Sequence, residues 1–187
     1  MIKILISGFT TFSTHAENSS EIIAELFKST PIKGFEIQVV ILPVTFSESF
    51  KTLNKAMNDF LPDYVVCLGL ASNRKGINLE KVAINLIHSD IADNEGVLHQ
   101  DQLILKDGPS AYFATLPLEE MRKLQMPFPV EMSFTAGTYV CNHVMYETLN
   151  FLKDSKVKAG FIHLPHMEQN QQKIFDSLVI MLQTFSK

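Results

Sequence analysis

Short apolar stretches alternate along this chain with segments in which apolar residues recur every three or four positions. The apolar stretches predict strands at residues 2–7, 35–42, 64–68, 77–87, 130–134 and 159–164. The periodic segments predict helices at residues 19–29, 46–60, 116–124, 140–153 and 170–186. Buried strands separated by helices are typical of a three-layer α/β/α sandwich with a mostly parallel, partly mixed central sheet.

One part of the chain departs from this alternation. Residues 77–87 roughly alternate between apolar and polar and predict a single strand, a candidate for antiparallel pairing. Residues 88–116 mix turn signals with short apolar pieces, so we expect an irregular excursion that contains a hairpin.

Length and composition suit a single domain spanning residues 1–187. The chain is 46% hydrophobic and 19% charged, which supplies enough apolar side chains for a sizeable core. Its formal net charge is -4, and basic and acidic residues are interspersed. Non-specific binding to nucleic acid depends on clustered positive charge, so we expect no nucleic-acid partner.

The sequence also bears on the membrane and the compartment. The apolar run in residues 1–8 is too short for a signal peptide, and we expect it to form a buried strand. No stretch approaches the roughly 18–20 apolar residues of a transmembrane helix, so no membrane partner is expected. With only Cys67 and Cys141 present, two free thiols in a reducing, cytoplasmic setting is the simpler interpretation, and one disulfide is the other.

Cys141 follows a turn of small residues, 135–138, and stands where a predicted helix begins. Unpaired N–H groups and the helix dipole favour a thiolate there, and the same N–H groups can stabilise an oxyanion. A lone cysteine is more often a packing residue. The local sequence therefore leaves a catalytic and a structural interpretation open.

A catalytic thiol needs a base, and the base needs an orienting acid. His163 lies at the end of an apolar strand and is the preferred base, with His166 as the alternative. Glu80 interrupts an apolar strand, where an unpaired carboxylate would be costly, and is one candidate acid. The other candidates are Asp93 and Glu95.

Ligands of parallel α/β sheets bind beyond the C-terminal ends of the strands. That edge is expected to collect residues 8–9, 69, 135–141 and 163–166. In the loop after the first strand, Phe9 and Phe12 either contact a ligand or cover the edge of the sheet.

The remaining chemistry-bearing patterns are weak. His15, His88 and His99 lie in predicted loops, where solvated polar residues are expected. The pair His163-x-x-His166 lacks a third ligand in register and no HExxH motif occurs, so no metal is expected. No glycine-rich phosphate motif occurs either, so no cofactor is expected and a phosphate-dependent enzyme is unsupported.

Several longer motifs are more specific than the single residues. They are the opening 4–9 with Phe12 and Asn18, Glu-Lys-Val-Ala-Ile-Asn at 80–85, Asp-Asn-Glu-Gly at 93–96, 107–113, Thr-Ala-Gly-Thr-Tyr-Val-Cys-Asn-His at 135–143, and Gly-Phe-Ile-His-Leu-Pro at 160–165. Together they resemble the pyrrolidone-carboxylate peptidases, also called pyroglutamyl peptidase I, a family of cysteine peptidases. The resemblance is collinear and covers nearly the whole chain.

The resemblance implies a triad of Cys141 as nucleophile, His163 as general base and Glu80 as orienting acid. It implies cleavage after an N-terminal pyroglutamyl residue of a peptide, through an acyl-enzyme and without a cofactor. The implied substrate-binding residues are Phe9, Phe12, Asn18, Leu70, Tyr139 and Val140. A homodimer or homotetramer is implied in the same way.

Several positions depart from the family pattern, and two of them bear most on activity. Leu70 stands where the family usually has a glutamine, and Asp90 stands where it commonly has an arginine. These departures favour an alternative hypothesis, a weak or inactive homologue that binds a pyroglutamyl-like ligand. A distant, solvent-facing Asp90 side chain would remove most of the case for that alternative.

Overall fold

A six-stranded sheet and a two-stranded ribbon are the β elements of this protein, whose computed structural model describes residues 1–12, 17–167 and 169–186. In chain order the strands are β1 (Ile2–Phe9), β2 (Phe35–Leu42), β3 (Tyr64–Leu70), β4 (Ile77–Glu80), β5 (Val82–Ile84), β6 (Ala111–Phe113), β7 (Val130–Ser133) and β8 (Lys158–Leu164). The six-stranded sheet has the order β2-β1-β3-β8-β4-β7. Every pairing in it is parallel except the antiparallel pair of β4 and β8, which confirms the predicted mixed sheet.

Helices cover both faces of this sheet. They are α1 (Ser19–Ser29), α2 (Ser49–Phe60), α3 (Leu118–Arg122), α4 (Val140–Phe151) and α5 (Gln171–Leu182). One core cluster joins the sheet to α1, α3 and α5, and we call this side the α5 face. A second cluster joins it to α2 and α4, and we call that side the α4 face. The result is the predicted three-layer sandwich.

Strand alternation decides which side chains meet which helices. Ile162 and Leu164 of β8 belong to the cluster of the α5 face, whereas Phe161 belongs to the cluster of the α4 face. Because successive side chains of a strand point to opposite faces, His163 shares the side of Phe161. The candidate base is thereby on the same side of the sheet as α4.

The single strand predicted at residues 77–87 is wrong, because the chain leaves the central sheet after Glu80. The segment Val82–Ile84 pairs instead with Ala111–Phe113 as the separate antiparallel ribbon. This ribbon contains the hairpin-like pairing expected in the excursion, and Ile87 forms a further antiparallel bridge with Gln102. A local pattern cannot reveal such a change of partner, because neither the full burial of β4 nor the burial of Ala83 in β5 specifies a partner strand.

Several helix boundaries also differ from the predictions, and the fourth helix ends at Phe151 rather than at 153. The second helix begins at Ser49 rather than at 46, because Phe46 N–H donates to the Asp93 carboxylate at 3.0 Å and Glu48 N–H to Thr45 Oγ1 at 3.3 Å. The third begins after Pro117. The last ends at Leu182 and continues as a 3₁₀ helix, Gln183–Ser186.

The carboxyl ends of β1, β3 and β8 meet at one edge of the sheet, as parallel pairing requires. The segment that precedes α4 approaches the same edge, since Cys141 contacts the position of Gly69 at the end of β3. The loop prediction for His15 lies outside the described residues. Within the described residues, no helix is long and apolar enough to cross a membrane.

Candidate active site

A small cavity opens at this edge of the sheet, with a volume of about 130 Å³. It is lined by Phe9, Phe12, Asn18, Val44, Leu70, Ala136, Tyr139, Val140, Cys141 and His163. All six of the predicted substrate-binding residues are among them, together with two of the three predicted catalytic residues. Sequence reasoning missed Val44, a short apolar residue next to a strand end that carries no distinguishing signal, whereas Ala136 belongs to the turn that was expected at this edge.

The helix α4 places Cys141 at its first turn. Tyr139 is the residue that precedes the helix, and no side chain caps the helix at this end. Gly137 has a φ of 78°, a left-handed conformation that favours glycine and allows the tight turn before the helix. Backbone N–H groups of the first turn therefore remain available beside the thiol.

Two anchors hold this helix entrance in place. The Asn142 side chain accepts from Ile84 N–H at 2.9 Å and donates to the Ile84 and Leu86 carbonyls at 2.9 and 3.1 Å. The Thr138 hydroxyl donates to the His88 carbonyl at 2.6 Å, and His88 N–H donates back to the Thr138 carbonyl at 3.1 Å. Sequence reasoning missed Asn142. The available signal was the polar pair Asn142-His143, which follows Cys141 directly in an otherwise apolar part of the helix.

Gly69 explains how the thiol fits against the sheet. A Cβ atom at position 69 would lie 3.0 Å from Cys141 Sγ and 2.7 Å from two ring atoms of Phe161. The contacts with Phe161 are too close for a side chain and the one with Cys141 is tight, so glycine at this point of β3 lets α4 approach.

The protonation state of Cys141 follows from this packing. Burial first, and then the nearby Glu80 carboxylate and Cys67, raise the pKa of the Cys141 thiol from 9.0 to about 12, although a backbone N–H lowers it in part. The backbone N–H thus acts in the predicted direction, but desolvation of the thiol outweighs it in the free protein. The resting group at neutral pH is the thiol.

His163 and Glu80 form a buried pair beneath the cavity. His163 Nδ1 lies 2.8 Å from Glu80 Oε1, and the Glu80 side chain is fully buried. Because β4 runs antiparallel to β8, Asn78 lies opposite His163 and Glu80 lies opposite Phe161. Glu80 is thus set deeper in the sheet than His163, which leaves Nε2 as the ring nitrogen directed away from the carboxylate.

The other candidate groups are engaged elsewhere. The Asp93 carboxylate accepts from the backbone N–H groups of Phe46, Glu95 and Val97 at 2.9–3.0 Å, so it organises a loop. The Glu95 side chain accepts from the Ser47 hydroxyl at 2.7 Å on the surface. Neither contact involves His163.

Two further histidines flank the site without lining the cavity. His166 lies beyond the cavity, in a polar cleft with Pro165. Burial, followed by the nearby His99, lowers the pKa of His143 to about 4, so its ring is neutral and packs edge-on against Phe46 at 5.6 Å. Of the histidines in the described residues, His163 alone lines the cavity.

The departures from the family pattern at Leu70 and Asp90 have different surroundings. Leu70 is 8% exposed and lines the cavity. The side chain of Asp90 is 95% exposed and its carboxylate lies 3.8 Å from His88 Nε2, so its charge faces solvent. Leu70 thus bears on the cavity directly, whereas Asp90 does not line it.

Asn18 and Tyr139 already use part of their hydrogen-bonding capacity within the protein. Asn18 Nδ2 donates to the Thr10 carbonyl at 2.9 Å, and its Oδ1 accepts from Ser20 N–H and from the Ser20 hydroxyl at 3.0 and 2.8 Å. The Tyr139 hydroxyl donates to the Ala92 carbonyl at 3.0 Å. These hydrogen bonds hold both side chains in place at the wall of the cavity, and one amide hydrogen of Asn18 is left for another acceptor.

Among the residues described, no group of three or more His, Cys, Asp or Glu side chains is arranged to hold a metal ion.

Comparison with known sequences identifies relatives of this chain. A sequence model of the family "Pyroglutamyl peptidase" matches residues 2–181. The pyrrolidone-carboxylate peptidase of Brachyspira hyodysenteriae is 39% identical over 175 residues, which cover 90% of this chain and 85% of that protein. The enzyme of the same name from Halalkalibacterium halodurans is 43% identical over 167 residues, covering 87% and 83%.

Solved structures agree with the sequence relatives. Pyroglutamyl peptidase I from Bacillus amyloliquefaciens superposes with a TM-score of 0.91 at 30% identity, covering 97% of this chain and 95% of the other. Pyrrolidone carboxyl peptidase from Thermococcus litoralis gives the same TM-score at 32% identity, with coverages of 98% and 92%. On the strength of the family match, the identities and the shared fold, this chain belongs to the pyroglutamyl peptidase family of hydrolases.

Proposed function

We propose that this protein removes an N-terminal pyroglutamyl residue from peptides by means of Cys141, His163 and Glu80 and a thioester acyl-enzyme. The observation that carries the proposal is the cavity shared by the Cys141 thiol and by a histidine whose other nitrogen is hydrogen-bonded to a buried carboxylate. A nucleophile, a base and a group that orients the base are the parts that such acyl transfer needs. The names of the relatives, pyrrolidone-carboxylate peptidases, support the same reaction.

In the first step Cys141 Sγ attacks the pyroglutamyl carbonyl carbon. Because the resting group is a thiol, its proton must pass to His163 Nε2 as the S–C bond forms. His163 then gives that proton to the leaving nitrogen, the C–N bond breaks, and the shortened peptide departs. In the second step a water attacks the thioester, loses a proton to His163, and releases pyroglutamate while the thiol is restored.

Glu80 and the first turn of α4 stabilise the two charges that develop during this reaction, on the imidazole and on the carbonyl oxygen. The Glu80 carboxylate, 2.8 Å from Nδ1, fixes the ring orientation of His163 and stabilises the imidazolium. The uncapped first turn of α4 offers backbone N–H groups to the oxyanion of the tetrahedral intermediate.

The cavity suits a small acyl group. Its volume of about 130 Å³ is well below that of a pocket for a drug-sized ligand, and most of its lining residues are apolar. Phe9, Phe12, Tyr139 and Val140 are proposed to hold the flat lactam ring, and Asn18 with the backbone near Leu70 to bond its polar groups. A neutral lactam suits this lining, since a free α-amine would bring an uncompensated charge.

The test is hydrolysis of a chromogenic pyroglutamyl amide by the purified protein. The matched control is the corresponding prolyl amide, which has a ring of the same size but a charged amine in place of the lactam. We expect turnover of the pyroglutamyl amide and none of the prolyl amide above background. A protein that turns over neither compound, at any concentration of enzyme and in reducing buffer, contradicts the proposal.

A second candidate is a homologue that binds a pyroglutamyl-like ligand without efficient chemistry. Leu70 favours it, because this residue supplies an apolar wall where the family pattern has a polar side chain. Calorimetric titration with pyroglutamate separates the two. Saturable binding with no turnover of the amide would favour this candidate, whereas turnover that is abolished in Cys141→Ala excludes it.

Three broader predictions accompany the proposed activity. A single domain over residues 1–187 is supported by the one central sheet that contains both the first strand, β1, and the last, β8. A homodimer or homotetramer is proposed from the family resemblance and is measurable by sedimentation. A cytoplasmic, reducing setting is proposed because Cys67 and Cys141 are both free thiols.

A further inference from the structure

Arg74 lies beside the buried pair of Glu80 and His163, in the loop between β3 and β4. Its guanidinium donates to Asn78 Oδ1 at 2.7 Å through one nitrogen. The other nitrogen donates to Ser133 Oγ at 3.3 Å and to the Thr135 carbonyl at 3.4 Å. The same nitrogen lies 4.0 Å from Glu80 Oε1, the oxygen bonded to His163.

These contacts grip the sheet around the carboxylate. Asn78 stands two residues before Glu80 on β4, so their side chains share one side of the sheet, and Asn78 lies opposite His163 on β8. Ser133 lies opposite Glu80 on β7. The guanidinium of Arg74 therefore binds Asn78, which precedes Glu80 on the same side of β4, and Ser133, which lies opposite Glu80 on β7.

The carboxylate needs this cation because it is poorly satisfied by hydrogen bonds. Its Oε1 bonds to His163, but its Oε2 is buried and has no hydrogen-bond partner among the described residues. A buried carboxylate with one free oxygen carries a desolvation cost that a nearby positive charge offsets. Arg74 is the Lys or Arg residue that forms an ion pair with Glu80 in the described part of the chain.

We propose that Arg74 is a positioning residue for the catalytic pair, acting through Glu80 rather than on the substrate. Its planar fork holds Asn78 and Ser133, and its charge keeps Glu80 Oε1 directed at His163 Nδ1. This inference rests on the proposed function for its kinetic consequence, but the contacts that carry it exist in the free protein. Arg74 is not a member of the Cys141–His163–Glu80 triad and touches it only at Glu80.

The test compares three variants at position 74 with a control at the next residue. Arg74→Gln removes the charge but keeps a donor for Asn78, Arg74→Lys keeps the charge but loses the fork, and Arg74→Met removes both. Lys75→Gln removes a positive charge from an exposed side chain of the same loop. The full-length protein is used throughout.

We expect Arg74→Gln to lower kcat on a pyroglutamyl amide by about 100-fold with KM nearly unchanged, the effect of misplacing a catalytic group. Arg74→Lys should recover at least about 10-fold of that loss, because it restores the charge, but not all of it, because it cannot reproduce the fork. Lys75→Gln should match the wild type. If Arg74→Met does not fold, Arg74→Gln and Arg74→Lys still decide the matter. A kcat for Arg74→Gln equal to that of Lys75→Gln, or a loss confined to KM, overturns the proposal.

A second readout does not depend on turnover. The ¹⁵N chemical shifts of the His163 imidazole report the hydrogen bond of Nδ1 in the substrate-free protein. Arg74→Gln should shift the Nδ1 resonance in the direction given by Glu80→Gln, whereas Lys75→Gln should leave it unchanged. Unshifted resonances in Arg74→Gln overturn the inference. If the wild-type protein fails to hydrolyse any pyroglutamyl amide, the proposed function fails, and these shifts still test the role of Arg74.

Discussion

The two faces of the central sheet bury different kinds of side chains. On the α5 face the core is apolar, and a buried hydroxyl such as that of Ser177 donates to a carbonyl of the preceding helical turn at 2.7 Å. On the α4 face the sheet carries His163 and Glu80, and Glu80 Oε2 and Thr148 Oγ1 have no hydrogen-bond partner among the described residues. Both faces therefore bury a large apolar cluster, but on the α4 face reactive groups are also held, at a cost in free energy.

The sharpest way to break this comparison is to remove the nucleophile. Cys141→Ala should reduce kcat on a pyroglutamyl amide by on the order of 10⁶-fold, as nucleophile deletion does in a characterised acyl-transfer enzyme. Its free energy of unfolding should change by only about 1 kcal/mol, because the substitution removes a single small atom. Steady-state kinetics and urea unfolding measure the two quantities. Retained turnover would show that another group attacks the substrate.

The next largest effect is expected at the orienting carboxylate. Glu80→Gln keeps the shape of the side chain but removes the charge next to His163, and kcat should fall by about 10⁴-fold, as for the equivalent change in a serine protease. KM should change little, since Glu80 does not line the cavity. Full activity in this variant would mean that His163 is oriented without Glu80.

The α5 face should respond in the opposite way. Leu178 is buried in the cluster of that face, and Leu178→Ala should lower the free energy of unfolding by about 2–5 kcal/mol through lost burial and the cavity left behind. The kcat of the folded fraction should remain that of the wild type at a temperature well below the unfolding midpoint. A loss of kcat larger than the loss of folded protein would show that the two faces are coupled.

Cys67 gives the α4 face a dependence on alkaline pH. Burial raises the pKa of this thiol from 9.0 to about 12, and a contact with Ser7 opposes the shift in part. A raised folded-state pKa contributes stability below pH 9, where both states are protonated, and this contribution is lost as the pH rises towards 12. The loss is up to about 1.4 kcal/mol per pH unit for one thiol.

The variant Cys67→Val tests this dependence, since it fills a similar volume without an ionisable group. Urea unfolding at a series of pH values should give wild-type and variant stabilities within about 1.5 kcal/mol of each other at pH 7. Above pH 9 the wild type should lose stability faster than the variant. Parallel pH profiles would show that Cys67 ionises normally in the folded protein.

The smallest effect concerns two buried hydroxyls, one on each face. Thr148→Val removes an unpartnered hydroxyl on the α4 face and should raise the free energy of unfolding by about 1 kcal/mol. Ser177→Ala removes a hydroxyl that is hydrogen-bonded on the α5 face and should lower it by a similar amount. Thermal unfolding of both variants measures the difference. Changes of the same sign would contradict the contrast between the faces.

Much of the fold was predictable because it depends on local periodicity. The alternation of apolar strands and amphipathic helices predicted the three layers and the mixed sheet, which the structure confirms. The same periodicity failed at residues 77–87, where β4 and β5 belong to different sheets. β4 is buried throughout and β5 at Ala83, and neither pattern records which strand each of them pairs with.

Apart from the family resemblance, the sequence predicted which thiol and which imidazole belong to the candidate site, but not which acid contacts the imidazole. The turn before Cys141 and the strand that ends at His163 identified the thiol and the imidazole, and both line the cavity. Residues alone left three acids open, and the structure brings one of them, Glu80, into contact with His163. The Asp93 carboxylate instead accepts hydrogen bonds from three backbone N–H groups, two of them in the turn that it begins.

The sequence by itself determined the fold class, the helix that carries the thiol and the strand end that carries its base, because each follows from residues close together in the chain. Only the tertiary structure decided that the thiol is protonated at rest, since burial and the approach of Glu80 come from other elements. It also decided that Arg74 stands next to Glu80, because the loop before β4 folds back over β4 and β7. Burial and strand register are properties of distant segments brought together, and a local pattern of residues does not contain them.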